Sequence, residues 1–117
     1  VIADEEISME MRVESEWLAL CGLGEIPRQG SRVVELDGIR VALFRTADDQ
    51  VHALEDRCPH KGGPLSQGIV FDQRVACPLH GWQIRLDTGH ACAPDEGCVR
   101  RYRIKVENDE VFVATDD

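Results

Sequence analysis

Two short stretches, Cys58-Pro59-His60-Lys61-Gly62-Gly63-Pro64-Leu65 and Cys77-Pro78-Leu79-His80-Gly81-Trp82, each pair a cysteine with a histidine. Thiolate and neutral imidazole are the strongest soft-to-borderline metal ligands that a protein offers. Two such pairs in one short chain point to a metal site with Cys58, His60, Cys77 and His80 as its ligands.

The spacing bears on which metal. Structural zinc commonly takes like residues in each knuckle, Cys-x2-4-Cys and then His-x3-5-His. Here each loop mixes the types, as Cys58-x-His60 and Cys77-x2-His80. A mixed pair suits a two-iron cluster, because each loop can hand its Cys to one iron and its His to the other. Mononuclear zinc gains nothing from this arrangement, although spacing alone leaves it open. Pro59 and Pro78 restrict the backbone between ligands, while Gly62, Gly63 and Gly81 let N–H groups approach sulfur.

Strands must carry these loops. Short apolar runs separated by turn residues fill the chain: Trp17 to Leu20, Val33 to Leu36, Ile39 to Phe44, Val51 to Leu54, Gly68 to Phe71, Arg74 to Ala76 and Trp82 to Leu86. Asp37-Gly38 between two of them is a hairpin signal. Both ligand sets therefore sit at strand ends. Tyr102, Ile104 and Val106 alternate with charged residues as one half-buried strand, and Val111 to Val113 pairs back across Asn108-Asp109-Glu110. No window carries a helical stripe. The pattern predicts an all-β fold, a sandwich or small barrel with an inserted, ligand-bearing subdomain.

Composition narrows the function. The chain has 117 residues, 43% of them hydrophobic, 5% aromatic and 30% charged, so one modest aliphatic core is expected. A formal charge of -9 argues against nucleic acid or an anionic membrane surface as partner. No apolar run approaches the roughly 20 residues of a membrane span, and residues 1–13 lack the features of a secretion signal. A cytoplasmic protein is expected, in which five cysteines serve metals or chemistry rather than disulfides. Residues 1–14 read as a disordered extension, 15–115 as a single domain, and about 57–97 as its cluster-binding subdomain.

The two ligand stretches are similar to the Rieske iron–sulfur signature, and the resemblance covers roughly Trp17 to Val113. It implies an antiparallel β-sandwich holding a [2Fe-2S] cluster, with Cys58 and Cys77 on the inner iron and His60 and His80 on the outer iron near the surface. It also implies a third loop over the cluster, here Ala91 to Gly97 with Pro94. Cys58 to Val70, Val75 to Trp82, Asp87-Thr88-Gly89 and Asp95-Glu96-Gly97 further resemble the small subunits of assimilatory NAD(P)H-dependent nitrite reductases. That likeness implies a non-catalytic electron-transfer subunit, inert toward nitrite without a large subunit carrying flavin, sirohaem and an iron–sulfur centre. Some small subunits of that family lack the ligands, whereas all four positions are filled here.

Two other functions fit the same residues: a free Rieske ferredoxin serving an aromatic-ring dioxygenase, and a zinc-stabilised binding module without redox activity. High-potential Rieske proteins carry an inter-loop disulfide and Ser and Tyr hydroxyls at positions that match Gly63, Leu79, Trp82 and Ile84, so a low potential is implied here. A docking face is expected from Pro59, Lys61, Leu79, Gly81 and Trp82, which flank the histidines. His52 and His90, unpaired with cysteine, read as structural or surface residues. Cys21 and Cys98 read as small buried hydrophobes, Cys92 as part of the covering loop, and Arg100, Arg101, Arg103 and Lys105 as a solvated strand face. No Gly-rich nucleotide loop or nucleophilic triad is present.

Overall fold

Among the residues that the structure describes, six non-glycine positions with positive φ, five of them Asp or Asn, mark turns of the chain. Asp37 (φ 53°) with Gly38 (φ 80°) and Asn108 (φ 52°) with Asp109 (φ 63°) are consecutive left-handed pairs, the backbone of the tightest hairpins. A computed structural model describes residues 13–14, 17–59, 62–79, 81–93 and 95–114. In chain order the strands are β1 (Val13–Glu14), β2 (Trp17–Gly22), β3 (Gly30–Leu36), β4 (Ile39–Arg45), β5 (Val51–Glu55), β6 (Ile69–Phe71), β7 (Arg74–Ala76), β8 (Gln83–Arg85), β9 (Arg101–Tyr102), β10 (Ile104–Glu107) and β11 (Glu110–Ala114). Among the described residues the helical content is two 3₁₀ turns, Leu23–Glu25 and Leu65–Gln67.

Among the described residues the strands form three antiparallel sheets, β1-β2-β11-β10, β3-β4-β5-β9 and β6-β7-β8. The middle sheet is covered on both faces. Val41, Leu43 and Ala53 face the first sheet's Val111 and Val113, whereas Ala42, Phe44 and Leu54 face the third sheet's Val70, Val75 and Ile84. A strand buried on both sides has no reason to alternate, which is why Val41 to Phe44 reads as an unbroken apolar run. The all-β antiparallel expectation holds, with the small third sheet as the platform for the ligand stretches.

Three sequence expectations change. The strand read through Tyr102 to Val106 divides at Arg103, with Tyr102 pairing with Ala53 in the middle sheet and Ile104 with Val113 in the first. Residue types go on alternating through this corner, so sequence periodicity shows one strand, but in β10 Ile104 and Lys105 are half-buried whereas Val106 and Glu107 are exposed. The last hairpin is tighter than read, since Glu110 pairs with Glu107. Val13 and Glu14, read as the end of an extension, pair with Leu18 and Trp17, while residues 1–12 lie outside those described.

Arg45, the last residue of β4, donates to the carbonyls of Leu23 (3.2 Å) and Ile26 (2.9 Å). Arg28 and Arg45 both reach Asp49 in the β4–β5 turn, each with a 3.0 Å bond to Oδ1. Their guanidinium bonds hold the Asp49 carboxyl below the usual carboxylate range. The basic stretch is largely stacked as well as solvated: Arg100 lies 4.7 Å from the Tyr102 ring centroid and Lys105 lies 4.9 Å from that of Trp17.

Candidate metal centre

The two ligand stretches fold alike. In the first, Cys58 N–H donates to Gly63 O (2.7 Å) and Gly62 N–H donates back to Cys58 O (2.8 Å). In the second, Cys77 N–H donates to Trp82 O (2.7 Å) and Gly81 N–H donates back to Cys77 O (3.0 Å). Each turn thus reverses at the fourth residue after its cysteine, where φ is +74° at Gly62 and +73° at Gly81. A left-handed conformation with so little penalty is what glycine supplies. The same closing bonds serve both loops, although in sequence the histidine follows at the second position in one and the third in the other.

β5 delivers the first loop and β7 the second, and the two cysteines meet. Cys58 and Cys77 are 1% and 3% exposed, free of disulfide, and packed in one cluster with Leu65, Val70, Val75 and Ile84. Burial pushes the Cys77 thiol up, and its hydrogen bond with the Cys58 thiol adds to this, while a backbone bond at Leu79 opposes both. The Cys77 thiol therefore resists becoming a thiolate on its own, and a bound cation or metal is the natural means of stabilising that form. The donor set fits a metal–sulfur group.

The space beside the cysteines is shaped by Gly63. A Cβ placed there would lie 2.7 Å from both Cγ and Cδ1 of Leu79 and 3.6 Å from Cys77 Sγ, so a larger residue would have to displace the Leu79 side chain. The third loop closes over the first. Ala91 N–H donates to Gly97 O (2.9 Å), and a Cβ on Gly97 would sit 3.2 Å from Pro59 Cβ. This is the covering position expected of residues 91–97, with Pro94 outside the described residues.

The other expected residues can now be placed. His60, Lys61 and His80 lie outside the described residues. Of the expected docking face, Leu79 is 46% exposed and Gly81 is exposed, whereas Pro59 and Trp82 are half-buried, with Trp82 packed on the cysteine core. His52 is structural, its Nε2 lying 3.0 Å from Gln73 Oε1, and His90 is exposed. Cys92 is half-buried. Cys98, read as a buried hydrophobe, is exposed, and Cys21 is only half-buried. Cys98 sits in an isolated bridge with His90 rather than in a covered strand, so its small apolar side chain is left at the surface.

Asp56 is the residue that sequence reasoning missed. Its side chain is fully buried, two residues before Cys58, and its carboxylate accepts from Ser66 N–H (2.7 Å), Ser66 Oγ–H (2.8 Å) and the Arg40 guanidinium (3.3 Å). Acidic residues are usually exposed, so residue type hid it.

Residues 16–103 match the Rieske [2Fe-2S] domain model. The chain belongs to the Rieske family. It is therefore an electron-transfer domain with a Rieske-type [2Fe-2S] cluster as cofactor. Among curated proteins it is 38% identical over 102 residues to the large subunit of nitrite reductase [NAD(P)H] from Klebsiella oxytoca, covering 83% of this chain and 11% of that one. It is 28% identical over 99 residues to the ferredoxin component of the naphthalene 1,2-dioxygenase system of Pseudomonas aeruginosa, covering 84% of this chain and 94% of that one. This chain spans 11–18% of the length of the first four curated relatives.

Solved structures divide the same way. A chain from the complex of reduced oxygenase and oxidised ferredoxin in carbazole 1,9a-dioxygenase aligns with a TM-score of 0.76 and 28% identity, covering 89% of this Rieske chain and 97% of that one. A protein assigned as the small subunit of an NADPH nitrite reductase aligns with a TM-score of 0.75 and 32% identity, covering 83% and 96%. No helix among the described residues is long and apolar enough to cross a membrane.

Proposed function

We propose that Cys58, His60, Cys77 and His80 ligate the cluster, and that the chain is the electron-transfer small subunit of a nitrite reductase that uses NAD(P)H to reduce nitrite to ammonium. The observation that carries the second part is identity over similar shares of this chain: 38% and 32% to the nitrite reductase relatives, against 28% to each of the two ferredoxins. The cysteine pair supports the first part, since two equivalent loops bring Cys58 and Cys77 into contact in a buried cluster. On this reading residues 57–97 form the cluster-binding part of a single domain spanning 15–115, and the protein works in the cytoplasm.

The bound cluster supplies reversible one-electron storage. The chain's own residues do the rest. Cys58 and Cys77 hold the buried end in an apolar setting that excludes water, with Leu65 and Ile84 fully covered around them. Pro59, Leu79 and Gly81, adjacent in sequence to His60 and His80, offer a small partly apolar contact surface to a partner redox protein. That partner is a large subunit bearing flavin, sirohaem and an iron–sulfur centre, and it performs the chemistry on nitrite. Alone, this chain is inert toward nitrite.

The ferredoxin reading rests on the 94% coverage of the naphthalene system component, a chain of matching extent. One experiment separates the two. The purified chain is mixed with a sirohaem nitrite reductase large subunit from its own source, and separately with an aromatic-ring dioxygenase, and binding and electron delivery are measured with each. Stimulated nitrite consumption supports the proposal. Transfer to the dioxygenase without any response from the large subunit would replace it with the ferredoxin.

A further inference from the structure

The two ligand loops share a backbone turn but differ in what closes them at the base. The second is bracketed by strands: Ala76 pairs with Gln83, the rung immediately outside Cys77 and Trp82. The first has no such rung. β5 ends at Glu55 and the chain next forms the 3₁₀ turn Leu65–Gln67, so among the described residues no strand pair spans the base of the loop. The bond from Cys58 N–H to Gly63 O closes only its inner turn.

The equivalent pair would be Arg57 and Pro64, and Asp56 and Ser66 stand just outside it. Asp56 Oδ1 accepts the Ser66 N–H at 2.7 Å, and Oδ2 accepts the Ser66 hydroxyl at 2.8 Å. The pair is itself anchored: Asp56 N–H donates to Arg40 O on β4 (2.9 Å), and Ser66 O accepts from Ser31 Oγ on β3 (2.8 Å). Arg40 also reaches Oδ2 at 3.3 Å, but its side chain is 64% exposed while that of Asp56 is fully buried. An exposed guanidinium is well solvated and adds little. The buried bonds to Ser66, made with a charged acceptor, are the strong ones.

We propose that Asp56 is a positioning residue for the cluster: its carboxylate, bonded to Ser66, closes the base of the first ligand loop in place of the missing strand rung and holds that loop in register against the second. This rests on the reading that the loop carries two of the ligands. Its effect runs through loop closure, so it belongs to the geometry of bonds to Ser66 rather than to the ion pair with Arg40. Asparagine can keep that geometry, accepting from Ser66 N–H with its oxygen and donating to Ser66 Oγ with its nitrogen. Alanine cannot.

The test compares Asp56→Ala, Asp56→Asn, Ser66→Ala and Arg40→Gln in the cluster-loaded full chain. Three quantities are read: the rate at which visible absorbance decays in an iron chelator, the line shape of the reduced electron paramagnetic resonance spectrum, and the thermal unfolding of the same samples. Losing both bonds to a buried carboxylate should speed cluster loss by roughly tenfold or more and broaden the spectrum in Asp56→Ala. Ser66→Ala, which keeps the N–H bond, should fall between this variant and the parent. Asp56→Asn and Arg40→Gln should stay within about threefold of the parent, with its line shape.

The inference is overturned if Asp56→Ala keeps the parent's rate and spectrum, or if Arg40→Gln matches Asp56→Ala. Should Asp56→Ala fail to fold, the other variants decide: Ser66→Ala indistinguishable from the parent, or Asp56→Asn much faster than Ser66→Ala, also overturns it. A parent chain that holds no iron or labile sulfide removes the ligand reading, and this inference with it. A parent with a stable cluster that ignores Asp56 overturns the inference alone.

Discussion

A single methyl group at Gly68 should disturb the platform beneath the second ligand. An ideal Cβ at this position lies 2.2 Å from Ala76 O, 3.0 Å from Val75 Cγ2 and 3.1 Å from Ala76 C. Carbon and carbonyl oxygen approach no closer than about 3.3 Å even in favourable contacts, so roughly 1 Å of movement is required. The obstruction is backbone, not a side-chain tip that could swing aside. Relief must come from parting β6 and β7, which are paired through Ile69 with Ala76 and Val70 with Val75, and Ala76 directly precedes Cys77. Overpacking costs about 1–3 kcal/mol where neighbours can yield. With backbone on the opposing side we place Gly68→Ala at about 3 kcal/mol, or a fall in Tm of roughly 12–24 °C for a domain this small. Gly24→Ala is the control, because nothing lies within 4 Å of a Cβ there, and it should stay within about 0.5 kcal/mol of the parent. Thermal and urea unfolding, with iron content measured alongside, decides the matter. A Gly68→Ala protein that melts within about 2 °C of the parent and keeps its iron would refute the packing argument.

The remaining predictions concern electrochemistry, docking and acid stability. On the proposed ligand set, two imidazoles in place of two thiolates raise the couple above the roughly -400 mV of plant-type ferredoxins, while Trp82 and Ile84, at the positions of the high-potential hydroxyls, carry none; a midpoint in the lower part of the roughly -150 to +300 mV Rieske span is expected by redox titration. Leu79→Ala should weaken partner binding while shifting Tm little, because the side chain is 46% exposed, whereas Trp82→Ala should lower both, because Trp82 packs on the cysteine core. Calorimetric binding and melting curves on the two variants distinguish these effects. Asp48, Asp49 and Asp87 are each held below the usual carboxylate range, first by hydrogen bonds from Thr46, Arg28 and Arg85 respectively. A carboxyl lowered on folding stabilises the fold above its unfolded pKa and loses that contribution as pH falls through its folded value, so stability should decline below about pH 4. Asp49→Asn should make that decline shallower in urea titrations across the acid range.

How much was legible in the sequence depended on whether a residue's role followed from its type. Cys58 and Cys77 announced themselves because few uses explain a cysteine with a histidine two or three residues on, twice in one chain, and Gly62 and Gly81 fell where φ turns positive. The hairpin at Asp37-Gly38 was equally visible, since those residues tolerate the left-handed region. The corner at Arg103 was not, because apolar and charged residue types go on alternating through it although burial does not. Cys98 misled for the opposite reason: cysteine is usually buried, yet an isolated bridge leaves this one uncovered. Asp56 was invisible because its importance lies in a bond to Ser66, ten residues along, that residue type does not signal.

The central claim is that one cluster is held by both mixed loops. Iron-57 Mössbauer spectroscopy of the anaerobically purified chain, combined with pulsed electron paramagnetic resonance on nitrogen-15 histidine-labelled protein, tests it most directly. The account predicts equal amounts of two inequivalent irons with matching labile sulfide, the reduced iron coupled to two histidine nitrogens, and loss of the cluster in His60→Ala. A protein that instead holds a single zinc and no labile sulfide, or a cluster with no histidine coupling, would contradict it.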